Sequence, residues 1–100
     1  MQLIVWEYHV RPERIEDFEA LYRPDGEWVN LFRRSPGFVS TTLLRDLRDP
    51  NRFLVSDRWS SVEAYELMHT MHEADYLALD ERGKQLYLAE RHVGRFSVCD

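Results

Sequence analysis

Glu66, His69 and His72 stand one helical turn apart, in the spacing Glu-x-x-His-x-x-His. Imidazole titrates close to neutral pH, so either histidine could take or give a proton. Both fall in a series, Val62, Tyr65, His69, His72, Tyr76 and Leu79, that steps by three and four and so forms one stripe of a helix. Bordering a pocket, the stripe would offer acid–base groups. Bordering the core, its histidines would be hydrogen-bonded edge residues. Trp59, just before this helix, could stack on a planar molecule or donate its indole N–H; it could also simply fill the core. Tyr8 and Tyr76 could each supply a hydroxyl. Asp57 shares a strand face with Trp59, where it could orient a His or Arg, or pair with Arg58 or Arg45. Glu7 and His9 alternate together on another strand and read as a solvated or interfacial pair. Glu-x-x-His also occurs in di-iron bundles. Here it stands once, in a pattern that is not a bundle, so no metal is expected.

Other chemistry lacks its signatures. Four glycines leave no phosphate-cradling loop, nucleophile elbow or dinucleotide fingerprint. One cysteine, Cys99, excludes an intramolecular disulfide framework and a Cys-rich zinc site. Thirteen basic against eighteen acidic residues give a net charge of −5, which argues against nucleic acid or an anionic membrane as partner. No apolar run approaches the ~18 residues of a membrane span, and the start, Met1-Gln2-Leu3-Ile4-Val5-Trp6-Glu7, has no basic region of the secretory kind. A cytoplasmic protein is expected.

The 100 residues suit one domain, 1–100, with 44% hydrophobic residues to build its core. Residues 2–10 are β-branched and aromatic without a breaker, hence a strand. Ile4, Trp6, Tyr8 and Val10 lie on one face, and Leu3, Val5, Glu7 and His9 on the other. Both faces begin apolar, so both should be covered. Pro12 opens a helix carrying Ile15, Phe18, Leu21 and Tyr22. Pro24-Asp25-Gly26 interrupts it, and a second short helix follows with Trp28, Leu31 and Phe32, stopped at Ser35-Pro36-Gly37. Residues 38–47 and 52–59 form a hairpin around Asp49-Pro50-Asn51. Ser60 and Glu63 make a capping box for one long helix from about Ser61 to Asp80, and residues 89–98 close the chain as a strand. The order βαββαβ predicts an α+β, ferredoxin-like fold: a four-stranded antiparallel sheet with helices on one face. Helices cover only that face. The other would expose an apolar patch, most cheaply hidden in a twofold homodimer.

With these elements placed, the chain resembles the antibiotic biosynthesis monooxygenase family of the dimeric α+β barrel superfamily. The resemblance spans nearly the whole chain. It is carried by Leu54-Val55-Ser56-Asp57-Arg58-Trp59-Ser60-Ser61-Val62-Glu63-Ala64-Tyr65, by His72 in the helix beyond, and by Ser35-Pro36-Gly37-Phe38 at the entry to the second strand. The segment Tyr22-Arg23-Pro24-Asp25-Gly26-Glu27-Trp28 departs from the shortest members, whose first helix is unbroken. The resemblance implies a pocket between sheet and helices and oxidation of a small aromatic or quinol-like substrate by oxygen, without metal or flavin. The substrate must then supply the electrons, and a phenolate yields one more readily than a phenol. In this reading His72 accepts the proton and Trp59 is the stacking wall, while Tyr8, His69, Tyr76 and Asp57 bind the substrate. The superfamily also holds isomerases, cyclases, haem degraders and members without known activity. An isomerase or cyclase, a non-enzymatic binding domain and a haem protein are therefore the competing readings.

Overall fold

The computed structural model describes residues 1–99. Strand β1 (Gln2–Val10) is followed by a single 3₁₀ turn (Pro12–Arg14), then helices α1 (Ile15–Tyr22) and α2 (Glu27–Phe32). Strands β2 (Phe38–Arg45) and β3 (Arg52–Trp59) form the hairpin. Helices α3 (Val62–Met71) and α4 (Glu73–Lys84) lead to β4 (Tyr87–Ser97). The strands stand in the order β2-β3-β1-β4, every neighbouring pair antiparallel. This is the ferredoxin-like arrangement expected from the element order. None of the described helices is long and apolar enough to cross a membrane.

Register assigns the faces. Tyr8 lies opposite Phe53, Trp6 opposite Val55, Ile4 opposite Asp57, and Thr41 opposite Asp57 on its other side. These face the helices, and Phe18, Trp59, Phe53, Val10 and Met68 are fully enclosed there. Packing of several such rings and branched chains contributes roughly 1.5–3 kcal/mol per side chain. The outer face carries Leu3, Val5, Leu54, Leu44 and Phe96, the last two 48% and 46% exposed. The expectation that both faces are covered therefore holds for one face only within a single chain. Amid the outer apolar residues Glu7 accepts from Arg52 Nε at 2.6 Å and Arg91 Nε at 3.0 Å, and Arg52 also reaches Asp46 at 2.9 Å. The hydrogen bonds from Arg91 and then Arg52 hold the Glu7 carboxyl below its ordinary pKa. His9 Nε2 stands 3.9 Å away.

Some boundaries differ from the sequence reading. The long helix is interrupted: His72 has φ −123° and ψ 32°, outside the helical range, and separates α3 from α4. No Pro or Gly causes this. Met68 and Tyr65 anchor α3 in the core, whereas α4 is tied to α2 by Arg82 on both carboxylate oxygens of Glu27 (2.8 and 2.7 Å) and to the turn after α2 by Arg34 on Asp75 (2.8 Å). The two halves serve different partners. The helix cap also moves by one residue. Ser60 N–H is spent on Gly37 O at 2.7 Å, so Ser61 Oγ caps by accepting from Ala64 N–H at 3.1 Å. Strand β2 stops at Arg45 because Asp46 turns to accept from Arg48 and Asp49 N–H.

Gly37 sits at φ 96°, a left-handed conformation, and a Cβ there would lie 2.5 Å from Ala64 Cβ and 2.7 Å from Ser60 Oγ. Gly37→Ala is expected to cost at least about 1–3 kcal/mol from backbone strain alone. Urea unfolding midpoints check this; an unchanged midpoint refutes it.

Candidate active site

A cavity of about 160 Å³ lies between sheet and helices. Strands supply its floor: Trp6, Tyr8, Thr41, Val55, Asp57 and Glu90. Helices supply the roof: Tyr22, Trp28, Phe32, Tyr65, Tyr76 and Asp80. Alternation on β3 turns Asp57 inward with Val55, between rings that exclude water. Only the Thr41 hydroxyl answers it among the described side chains, donating to Oδ1 at 2.6 Å. Arg58 belongs to the opposite face and Arg45 lies over the Phe53 ring, so neither pairs with Asp57 as the sequence allowed. Burial pushes the Asp57 carboxyl up to about 6, and the Thr41 hydrogen bond only partly opposes this.

The tyrosines are moved the other way from reactivity. Burial raises Tyr8, Tyr22, Tyr76 and Tyr65 above the ordinary phenol value. They remain neutral hydroxyls, suited to donate hydrogen bonds but not to accept protons. The lining contains Asp57, Asp80 and Glu90 but no Lys, Arg or His. Such a cavity disfavours an anionic guest and accepts a neutral one.

A second, open hollow of about 410 Å³ adjoins it, sharing Trp6, Tyr65 and Tyr76 and adding His69, His92 and Arg95. His69 is sandwiched there, its ring 4.6 Å from Tyr65 and 4.1 Å from Tyr76. Burial, followed by the nearby Arg95 charge, lowers its pKa. His92 packs on Trp6 at 4.6 Å, and Arg95 lies 5.2 Å over the Tyr65 ring. A bulge between the Val5–Gly94 and Trp6–His92 pairs turns both β4 residues inward.

The structure thus brings Asp57, Tyr8 and Tyr76 into the inner cavity and His69 into the hollow. It does not bring in the other two residues named from sequence. His72 lies at the α3–α4 junction and lines neither space. Trp59 is 0% exposed, packed edge-on against Phe32, Phe38 and Tyr65, and also lines neither. No group of three or more potential metal ligands gathers among the described residues, Glu66, His69 and His72 included. Sequence reading missed Glu90, Asp80, His92 and Arg95 as lining residues. Gly94 was a signal for the bulge; an aromatic in a short apolar helix, as Trp28 is, reads as core.

The family model for antibiotic biosynthesis monooxygenases matches residues 1–73, which include Tyr8, Trp28, Thr41 and Asp57. A variant of SnoaB, a cofactor-independent oxygenase from Streptomyces nogalater, is 23% identical with a TM-score of 0.81, the match covering 99% of this chain and 93% of that one. A candidate antibiotic biosynthesis monooxygenase from Bordetella bronchiseptica is 20% identical with a TM-score of 0.77, covering 98% and 96%. Another, from Deinococcus radiodurans, is 17% identical with a TM-score of 0.76, covering 100% and 94%. No curated protein matches the chain. These identities carry the shared fold; with the family match over strands, helices and most of the cavity floor, the chain belongs to the antibiotic biosynthesis monooxygenase family.

Proposed function

We propose that the protein is a cofactor-independent monooxygenase of a small neutral phenol or quinol, with Asp57 as the general base. One observation carries this: the carboxylate is buried among rings, beside a cavity that contains no cation. At pH 7 it is mostly ionised and can accept a phenolic proton from a bound substrate. The phenolate passes one electron to oxygen, giving substrate radical and superoxide. These combine at a ring carbon as a peroxide. Loss of water then cleaves the O–O bond, with the Asp57 proton returned to the leaving oxygen. Phenol and oxygen become quinone and water, so the substrate provides both electrons and no added reductant is needed. Exclusion of water protects the radical pair. Tyr8 and Tyr76 donate hydrogen bonds to oxygens of the bound molecule, and His69 stands at the mouth.

The working unit is a twofold homodimer, its sheets packed through Leu3, Val5, Leu54, Leu44 and Phe96. Support comes from the apolar character of that face.

The test is oxygen uptake with candidate phenols, together with isotopic oxygen. One labelled atom per product and one in water is the expected result. Conversion of substrate under argon would instead point to an isomerase or cyclase. His72→Ala serves as the control. Because His72 lines neither space, its removal is expected to change kcat by less than about tenfold, below the range for loss of a general base. A larger loss in a folded variant would return the base to His72.

A further inference from the structure

We infer that the inner cavity and the adjoining hollow are two ends of one site, which takes a flat hydroxyaryl carboxylate, its hydroxyl facing Asp57 and its carboxylate facing Arg95. The inference deepens the oxygenase reading, on which it rests for the reaction but not for the binding.

The register of the sheet lays out the site. Asp57 on β3, Ile4 on β1 and Arg95 on β4 stand in one row across three strands. Val55, Trp6 and His92 form the next row on the same face. Each row begins in the inner cavity, crosses β1 and ends in the hollow. Neighbouring strands lie about 5 Å apart, so Asp57 and Arg95 are roughly 10 Å apart at the backbone, a span that one molecule can bridge. Trp6 is floor to both spaces, and Tyr65 and Tyr76 are roof to both. A floor and roof of rings suit a flat aromatic body between two polar ends.

The ends differ in charge. The inner cavity is lined by Asp57, Asp80 and Glu90 without a cation. The hollow has Arg95 as the only Arg or Lys on its wall and Glu66 as the only acid. Among the described residues Arg95 has no carboxylate within ion-pair distance, Glu66 included, whereas Arg52, Arg82 and Arg91 are each paired. It lies instead over the Tyr65 ring, 5.2 Å from the centroid. A guanidinium stacked on a ring keeps its N–H edge free for a carboxylate. His69 is held neutral at neutral pH by burial, followed by the Arg95 charge, and so adds polarity without charge. A guest seated the other way round would bring its carboxylate among three acids and away from the cation. One orientation is therefore selected. The ring that enters the inner cavity is still a neutral phenol, and the negative charge stays in the hollow.

Isothermal titration calorimetry under argon at neutral pH tests this with three probes: a hydroxynaphthoate carrying its two groups on opposite rings, its methyl ester, and naphthol. The acid is expected to bind about tenfold more tightly than the ester, the worth of one charge-assisted contact. Arg95→Gln should erase that preference and leave naphthol within about twofold of its original affinity. Arg95→Lys should restore part of the preference, since the charge remains and the planar fork is lost. Equal binding of acid and ester to the unaltered protein overturns the inference, as does failure of all three probes to bind. An undiminished preference in folded Arg95→Gln overturns it too. Equal weakening of all three probes in that variant would make Arg95 a support for Tyr65 and likewise overturn the carboxylate site. The expected preferences without oxygen uptake in air would defeat the oxygenase reading and leave this site standing. Oxygen uptake with naphthol and the acid at equal KM would do the reverse.

Discussion

Asp57→Asn is expected to lower turnover by about 10²–10⁴-fold and at the same time to make the protein more stable. The amide keeps an oxygen to accept from Thr41, now at 2.6 Å, and cannot take the substrate proton. The pH profile carries the diagnosis. Turnover of the unaltered protein should rise through pH about 6, where Asp57 ionises, and that limb should vanish in Asp57→Asn. Stability moves the opposite way. The folded carboxyl is raised from 3.8 to about 6 because burial penalises its charge. Its contribution is therefore fully present below the unfolded value and is lost as pH rises through the folded one. By pH 7 the loss amounts to roughly 3 kcal/mol. Glu7, Glu27 and Asp46, held below their ordinary values by partners, act in the reverse sense and lose their contribution on acidification. The informative quantity is thus the difference between Asp57→Asn and the unaltered protein at each pH. Denaturant titrations should show the variant gaining ground from pH 4 to pH 7. Full turnover in a folded Asp57→Asn protein would remove Asp57 as the base.

Trp59→Ala is expected to cost about 3–5 kcal/mol, a large part of the margin of a domain this size. Its ring is fully enclosed, with Phe38 at 5.2 Å, Phe32 at 5.4 Å and Tyr65 at 5.6 Å, all edge-on. No neighbour can collapse into such a void without moving both α2 and α3. Trp59→Phe preserves much of the packing and sacrifices no hydrogen bond, because Nε1–H has no partner. The Phe variant should fold, melt at lower temperature, and turn over normally per folded molecule. A folded Phe variant with turnover down by about a hundredfold would place Trp59 at the substrate after all.

The strands were legible because they rest on local signals: β-branched and aromatic runs between breakers, and a turn at Asp49-Pro50-Asn51. The interruption at Pro24-Asp25-Gly26 was equally plain. The break at His72 was not, since α3 and α4 part there through their tertiary partners, with no breaker in the chain. That interruption is why His72 stands apart from the spaces that Tyr65 and His69 line. On an unbroken helix His72 would continue the stripe of Tyr65 and His69; with the interruption it lines neither space. Asp57 was singled out from its strand face, but its promotion from ligand-binding group to base depends on burial, which alternation alone does not measure. Arg95 and His92 depended on the β4 bulge. Trp28 was read correctly as apolar and enclosed.

The cluster on the outer sheet face has an electrical consequence. Glu7 and Asp46 are matched there by Arg52 and Arg91, so that cluster is neutral, and Arg58 adds one positive charge to the face, although the chain as a whole carries −5. Its charges are already desolvated in part by one another, and whatever settles on this face need bring no counter-charge to meet them. Two identical molecules, each repelling the other at long range, would find at this cluster a place of contact whose charges are already balanced. Salt would then alter how fast they meet far more than how firmly they hold.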